Sequence, residues 1–147
     1  MLITTHILAG LVVGKYLGPE HMLPILLGSV LIDLDHIYDM VKHGWKYGIK
    51  KSFEILFMPF PEENEQRTFF HSIFGWILVS TILYLVDPVF GKYFSIGYAV
   101  HLLLDSLDTS ELQLFYPQKY NVTGFIEYNS LMEYLFGIGL FIIYFFF

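Results

Sequence analysis

Apolar positions gather into five runs along the chain, at 2–18, 22–38, 69–86, about 89–107 and 130–147. Each approaches the roughly 17–25 residues that a membrane-spanning helix requires. The third run, FFHSIFGWILVSTILYLV, and the fifth, SLMEYLFGIGLFIIYFFF, are the clearest. The first, second and fourth are short or polar at one end, and predict helices that tilt or dip only partly into a bilayer. The pattern changes at 39–68. There Lys42, His43, Lys46, Lys50 and Lys51 interleave with Trp45, Phe53, Ile55, Leu56 and Phe57, ahead of the acidic PEENEQR. An amphipathic helix lying on lipid headgroups fits this mixture; so does an ordinary solvated helix and loop. Residues 108–129 hold Pro117, Asn121 and Gly124 and read as an irregular cap. The expected fold is all-α. It is a membrane-embedded bundle of about five helices forming one domain over 1–147, with one interfacial helical segment between helices two and three.

Composition points the same way. The chain is 55% apolar, 19% aromatic and only 15% charged, where soluble domains carry roughly 25% charged residues. Mean hydropathy is +0.56. The first run lacks a basic leader and an Ala-x-Ala cleavage site, so it reads as a retained helix. If the helices alternate in direction, the N-terminus, 39–68 and 108–129 share one side, with Lys42, Lys46, Lys50, Lys51, Arg67 and Lys119. The opposite side has Lys15 and Lys92. The positive-inside bias makes the first side cytoplasmic and the protein a multi-pass resident of the cell membrane.

Charge and cysteine content narrow the chemistry. A net charge of −6 with few basic residues excludes a nucleic-acid groove. The absence of cysteine excludes disulfides and thiolate metal sites. Any metal must take His, Asp or Glu, which suits zinc, manganese, iron or magnesium.

The ionisable groups inside the apolar runs share one membrane face. His6 stands near the start of helix one, Asp33, Asp35 and His36 near the end of helix two, and His71 at the opening of helix three. His101 and Asp105 follow toward the end of helix four, in GYAVHLLLDSLD, and Glu133 opens helix five. His101 and Asp105, four apart, occupy one helix face. Each has an ordinary reading. His6 can be interfacial, the aspartates solvated by headgroup water, His71 bonded to its own backbone, and Glu133 placed at the positive end of a helix. Together they are expensive. A charged side chain in the bilayer costs at least about 2.5–3.5 kcal/mol unless paired or metal-bound. A shared divalent cation compensates all of them. Asp108, a turn beyond Asp105, reads as solvated, and His21 and His43 as surface residues.

The motifs THILAG at 5–10, IDLDHI at 32–37, RTFFHSIFG at 67–75 and GYAVHLLLDSL at 97–107 come in an order that resembles the YdjM-type family of membrane-bound, metal-dependent hydrolases. LMEYL at 131–135 looks similar to the family's last motif. The wider pattern is similar to zinc-dependent phospholipase C and the related fungal zinc nucleases. The resemblance implies that His6, Asp33, His71, His101, Asp105 and Glu133 are metal ligands, with Asp35 and His36 either ligands or groups that orient them. It implies one or two divalent ions, zinc foremost. The chain departs from the family pattern at Ile32, Gln66, Thr68 and Phe70, where proline, histidine, glycine and threonine are usual.

The function this implies is hydrolysis of a phosphoester, in a lipid or lipid-linked substrate, at the cytoplasmic membrane interface. Asp35 or Glu133, whichever is not a ligand, is a candidate acceptor for the proton of the attacking water. Arg67 is a candidate bidentate clamp on phosphate, or else a headgroup-facing cation. The competing classes are a metal-ion or proton transporter, since intramembrane His and Asp also serve transport, and a regulatory membrane protein with a vestigial site. Transport sites tend to lie near the midplane, whereas these groups crowd one end.

Overall fold

The computed structural model describes residues 1–33 and 69–147 of the chain. These form five α-helices: α1 Ile3–Leu17, α2 Met22–Val30, α3 Ile73–Val86, α4 Pro88–Leu107 and α5 Leu131–Phe146. The five apolar runs and the five helices coincide, with two runs shortened. The second run leaves the α-helix after Val30 for a 3-10 turn at Leu31–Asp33, and the third begins with another at Phe69–His71. The interfacial helix expected at 39–68 lies outside the described residues.

The helix starts are written locally. Asp87 followed by Pro88 opens α4: the Asp87 carboxylate accepts from Val89 N at 2.9 Å and Phe90 N at 3.0 Å, while proline occupies a position that needs no donor. Ser72 caps α3 by accepting from Gly75 N at 3.2 Å. Ser130 caps α5 by accepting from Glu133 N at 3.3 Å, the first half of a capping box.

No described helix is long and apolar enough to cross a membrane. α1, α3 and α5 have 15, 14 and 16 residues, or about 21–24 Å at 1.5 Å per residue, against a hydrocarbon core of about 30 Å. α4 has 20 residues but carries Lys92, His101 and Asp105. The spanning expectation therefore does not carry over to the individual helices.

Packing brings the ionisable ends together. α2 and α4 lie backbone to backbone. A Cβ on Gly28 would overlap the Phe94 carbonyl, and one on Gly97 the Ile25 carbonyl. Phe94, Tyr98 and Leu102 of α4 meet Ile32 in one apolar core, flanked by Trp76, Val79 and Leu83 of α3. Trp76 Nε1 also donates to the Ser95 carbonyl at 2.9 Å. A second core joins Met1, Ala9, Leu104 and Ile126, with Phe136 and Leu140 of α5 against it. α5 packs chiefly on α1. Residues 108–129 form the expected cap, held by isolated bridges Asp108↔Ile126 and Leu112↔Val122. The cap folds back on α4 through Phe125 N and Ile126 N, which donate to the Leu107 carbonyl at 2.9 and 2.8 Å.

Candidate metal centre

Five side chains from four elements meet at one end of this bundle. α1 supplies His6, the turn after α2 Asp33, the turn before α3 His71, and α4 both His101 and Asp105. His6, His71 and His101 are fully buried and Asp105 nearly so. Their ring nitrogens face the carboxylates. His6 Nε2 is 3.3 Å from Asp105 Oδ1. His101 Nε2 is 3.4 Å from Asp105 Oδ2 and 3.6 Å from Asp33 Oδ1. His71 Nε2 is 3.6 Å from each of the same two oxygens. Two overlapping groups result, His6–Asp33–His101 and His71–His101–Asp105.

The backbone aims His101. Its Nδ1 lies 3.0 Å from the carbonyl of buried Ser29. A carbonyl only accepts, so Nδ1 carries a proton and Nε2 is the nitrogen left to face the carboxylates. His6 Nδ1 is buried without a hydrogen-bond partner, and the Nε2 atoms of His6 and His101 face carboxylate oxygens at 3.3–3.6 Å. A buried polar atom left unpaired costs roughly 1–3 kcal/mol. Lone pairs on these nitrogens, with two carboxylates a few ångströms away, are a donor set for a divalent cation. Ligand atoms at about 2.0–2.2 Å from a tetrahedral ion stand roughly 3.3–3.6 Å from one another, which is the spacing seen here. Asp33 is drawn to the histidines electrostatically as well. Burial raises its pKa, but the hydrogen bond from His71 and the charges of His101 and His6 outweigh burial and bring it down to about 2.

The family model for the YdjM inner membrane protein matches residues 1–146. The chain belongs to the YdjM family. No curated protein and no solved structure matches it. The match places this YdjM-family protein among inner membrane proteins, and it takes in every residue of the cluster.

Glu133, which the resemblance made a ligand, is not brought into either group. Its carboxylate is buried and fully used by α1 and its own helix start. It accepts from Leu2 N at 2.5 Å, Asn129 N at 2.7 Å and Thr5 Oγ1 at 3.4 Å. Ser130 and Glu133 are thus a cap that also clasps the first turn of α1, the helix bearing His6. Asp35, His36 and Arg67 lie outside the described residues.

Two features of this YdjM-family site escape a reading of the residues alone. Asp108 is 1% exposed, not solvated. It pairs with the Met1 amino group at 2.7 Å and accepts from Ser110 N and Oγ at 2.8 and 2.6 Å. Burial raises its pKa, but the amino group and the Ser110 donors more than offset this and hold the carboxyl below its ordinary value. The cap at 108–129 folding back over the helix end is what buries it. Ser29 acts through its carbonyl, so its identity gives no signal. His21, read as a surface residue, stacks on Tyr93 with centroids 3.6 Å apart.

Proposed function

We propose that this YdjM-family protein is a membrane-bound, metal-dependent hydrolase that cleaves a phosphoester in a lipid or lipid-linked substrate at the cytoplasmic face. One observation carries the reading. Three buried histidines, from α1, the 69–71 turn and α4, converge on two carboxylates with ligand-to-ligand spacing of 3.3–3.6 Å.

When bound, a divalent cation, zinc foremost, would lower the pKa of a water toward neutrality and polarise a phosphoryl oxygen. The chain's own residues do the rest. His6, His71 and His101 present nitrogen lone pairs, and the Ser29 carbonyl fixes the ring of His101. Asp33 and Asp105 supply negative charge against the ion, and the apolar cores on either side exclude water. Asp33, with its side chain 17% exposed, marks the side on which substrate enters. Asp35 would accept the water proton and Arg67 would hold the phosphate. One or two ions fit a donor set in which His101 belongs to both groups. The apolar exterior of α3 and α5 supports a place in the membrane, and a site at one end of the bundle supports a headgroup-bearing substrate.

Elemental analysis of detergent-purified protein, followed by phosphoesterase screening of wild type and His101→Ala, tests this. Bound metal and hydrolysis lost in the variant are expected. Well-folded protein without metal overturns the reading. Metal flux into proteoliposomes, lost in the variant without any hydrolysis, replaces it with transport.

A further inference from the structure

The apolar outer surface of the bundle is bounded by a polar rim at each end, and the rims are close together. One rim is the end with exposed Thr4, Thr109, Glu127 and Asn129, around the buried histidine–aspartate cluster. The other holds Lys15, Glu20 and His21, Asp87 and Lys92, tied together by Lys15 Nζ donating to the Tyr144 carbonyl at 2.6 Å and by His21 on Tyr93. Between Ser72 and Asp87, α3 is a 14-residue helix, or about 21 Å. Along α4, exposed apolar positions run from Val89 to Leu103, fourteen apart, about 21 Å. Along α1, exposed apolar positions run from Ile3 to Leu17, fourteen apart, about 21 Å. A bilayer's hydrocarbon core is about 30 Å. The belt falls short by roughly a third, and the lysine stems at the rim recover only part of that.

Among the described residues, no element covers the belt. Ile3 and Ile7 of α1, Phe74, Ile77, Leu78 and Leu85 of α3, Leu103 of α4, and Ile138 and Phe141 of α5 are all exposed. A second copy related by a two-fold axis covers one patch. Only lipid surrounds a bundle on all its faces, and the family is one of inner membrane proteins.

We infer that this surface is fitted to a thinned bilayer: the annular lipids compress around it, and shorter acyl chains bind it in preference to longer ones. Mismatch of this kind is relieved by thinning, because a short rigid bundle cannot lengthen and tilting shortens it further. Thinning draws the headgroups of one leaflet down to the depth of the histidine–aspartate cluster. The inference rests on the membrane placement proposed above and not on the metal.

Bromolipid quenching tests it. The full chain has two tryptophans, Trp45 and Trp76. Trp45→Phe leaves Trp76, on α3. This variant is reconstituted into vesicles of phosphatidylcholine mixed with its brominated form, with dimyristoleoyl, dioleoyl or dierucoyl chains. Quenching of Trp76 reports relative lipid affinity. Affinity about two- to threefold higher for dimyristoleoyl than for dioleoyl, and lower again for dierucoyl, is expected, with wild type ranking the lipids in the same order. Equal affinity at all lengths, or an optimum at the longest, overturns the inference. So does an unquenched Trp76 in a cross-linkable dimer, which assigns the surface to a second copy. A chain that fails to float with vesicles fails earlier and by a different measurement, and removes the membrane placement itself.

Discussion

The imidazole ring of His6 lies stacked on that of His101, with centroids 4.2 Å apart and planes inclined by 24°. Both rings are fully buried. Two cations this close in a dry site repel by several kcal/mol at any plausible interior dielectric, on the order of 4 kcal/mol at an effective constant near 20. The pair is therefore held with at least one ring neutral, the state that ligates metal. Protons and metal compete for these nitrogens. Zinc affinity, measured by competition with a chelating dye between about pH 8 and pH 5, falls as pH falls. A flat profile would remove the histidines from the metal site.

His101 belongs to both candidate groups, whereas His6 and His71 belong to one each. Saturating zinc at a hundredfold excess over Kd stabilises a folded binder by about 2.7 kcal/mol. His101→Ala abolishes that shift in thermal unfolding. His6→Ala and His71→Ala each keep part of it. Equal and complete loss in all three would mean a single site that needs every histidine.

Glu133 holds α5 to the start of α1 and stands outside both groups. Glu133→Ala leaves a cavity and removes the acceptor of the part-buried Leu2 and Asn129 amides, and lowers stability by about 1–2 kcal/mol. Metal stoichiometry in the variant that remains folded stays that of wild type. Loss of one equivalent of metal in Glu133→Gln, which keeps the shape, would restore the ligand role implied by the family pattern.

Asp108 has its carboxyl held below the ordinary value of 3.8 by the Met1 amino group and Ser110, against the opposing effect of burial. A depressed carboxylate contributes stability in full above its unfolded pKa and loses it as pH falls through the folded one. Thermal unfolding of wild type therefore declines on acidification below about pH 4, and Asp108→Asn shows a shallower decline. Identical acid profiles would show that other carboxylates carry the effect.

Gly97 meets the Ile25 backbone carbonyl, which cannot move aside as a side chain would. Gly97→Ala forces α2 away from α4 and costs about 1–3 kcal/mol. It also shifts the Ser29 carbonyl away from His101 Nδ1, so metal affinity drops along with the melting temperature. Ser29→Ala leaves that carbonyl in place and keeps metal affinity near wild type, although its hydroxyl bond to Leu26 O is lost.

The helices were legible because the apolar runs, Asp87-Pro88 and the serine caps are local signals, and local signals survive folding. The meeting of His6, Asp33, His71, His101 and Asp105 was legible for a topological reason. Alternating helices return to the same end, and buried charge is too costly to be scattered there. Glu133 was read as a ligand because a carboxylate three residues after Ser130 serves a cap and a metal equally well in sequence. The structure shows it accepting from Leu2 N and Asn129 N. Asp108 was missed because the cap that buries it is irregular and has no period. The helix lengths also departed from expectation. The run 69–86 is already apolar at the 3-10 turn that precedes the α-helix, so counting apolar residues overstates the helix.

The attachment of α5 has a consequence for how the molecule opens. Apart from core contacts by Phe136 and Leu140, it is fastened near its two ends, by Glu133 to Leu2 N and by Lys15 to the Tyr144 carbonyl. An element held by two clasps and one neighbouring helix is a separable unit of low local stability. Its amides exchange with solvent deuterium ahead of those of α2 and α4, whose backbones touch. Since one clasp grips the first turn of α1, each such opening loosens the turn that carries His6, and the histidine–aspartate cluster breathes with the rim of the bundle rather than with its core.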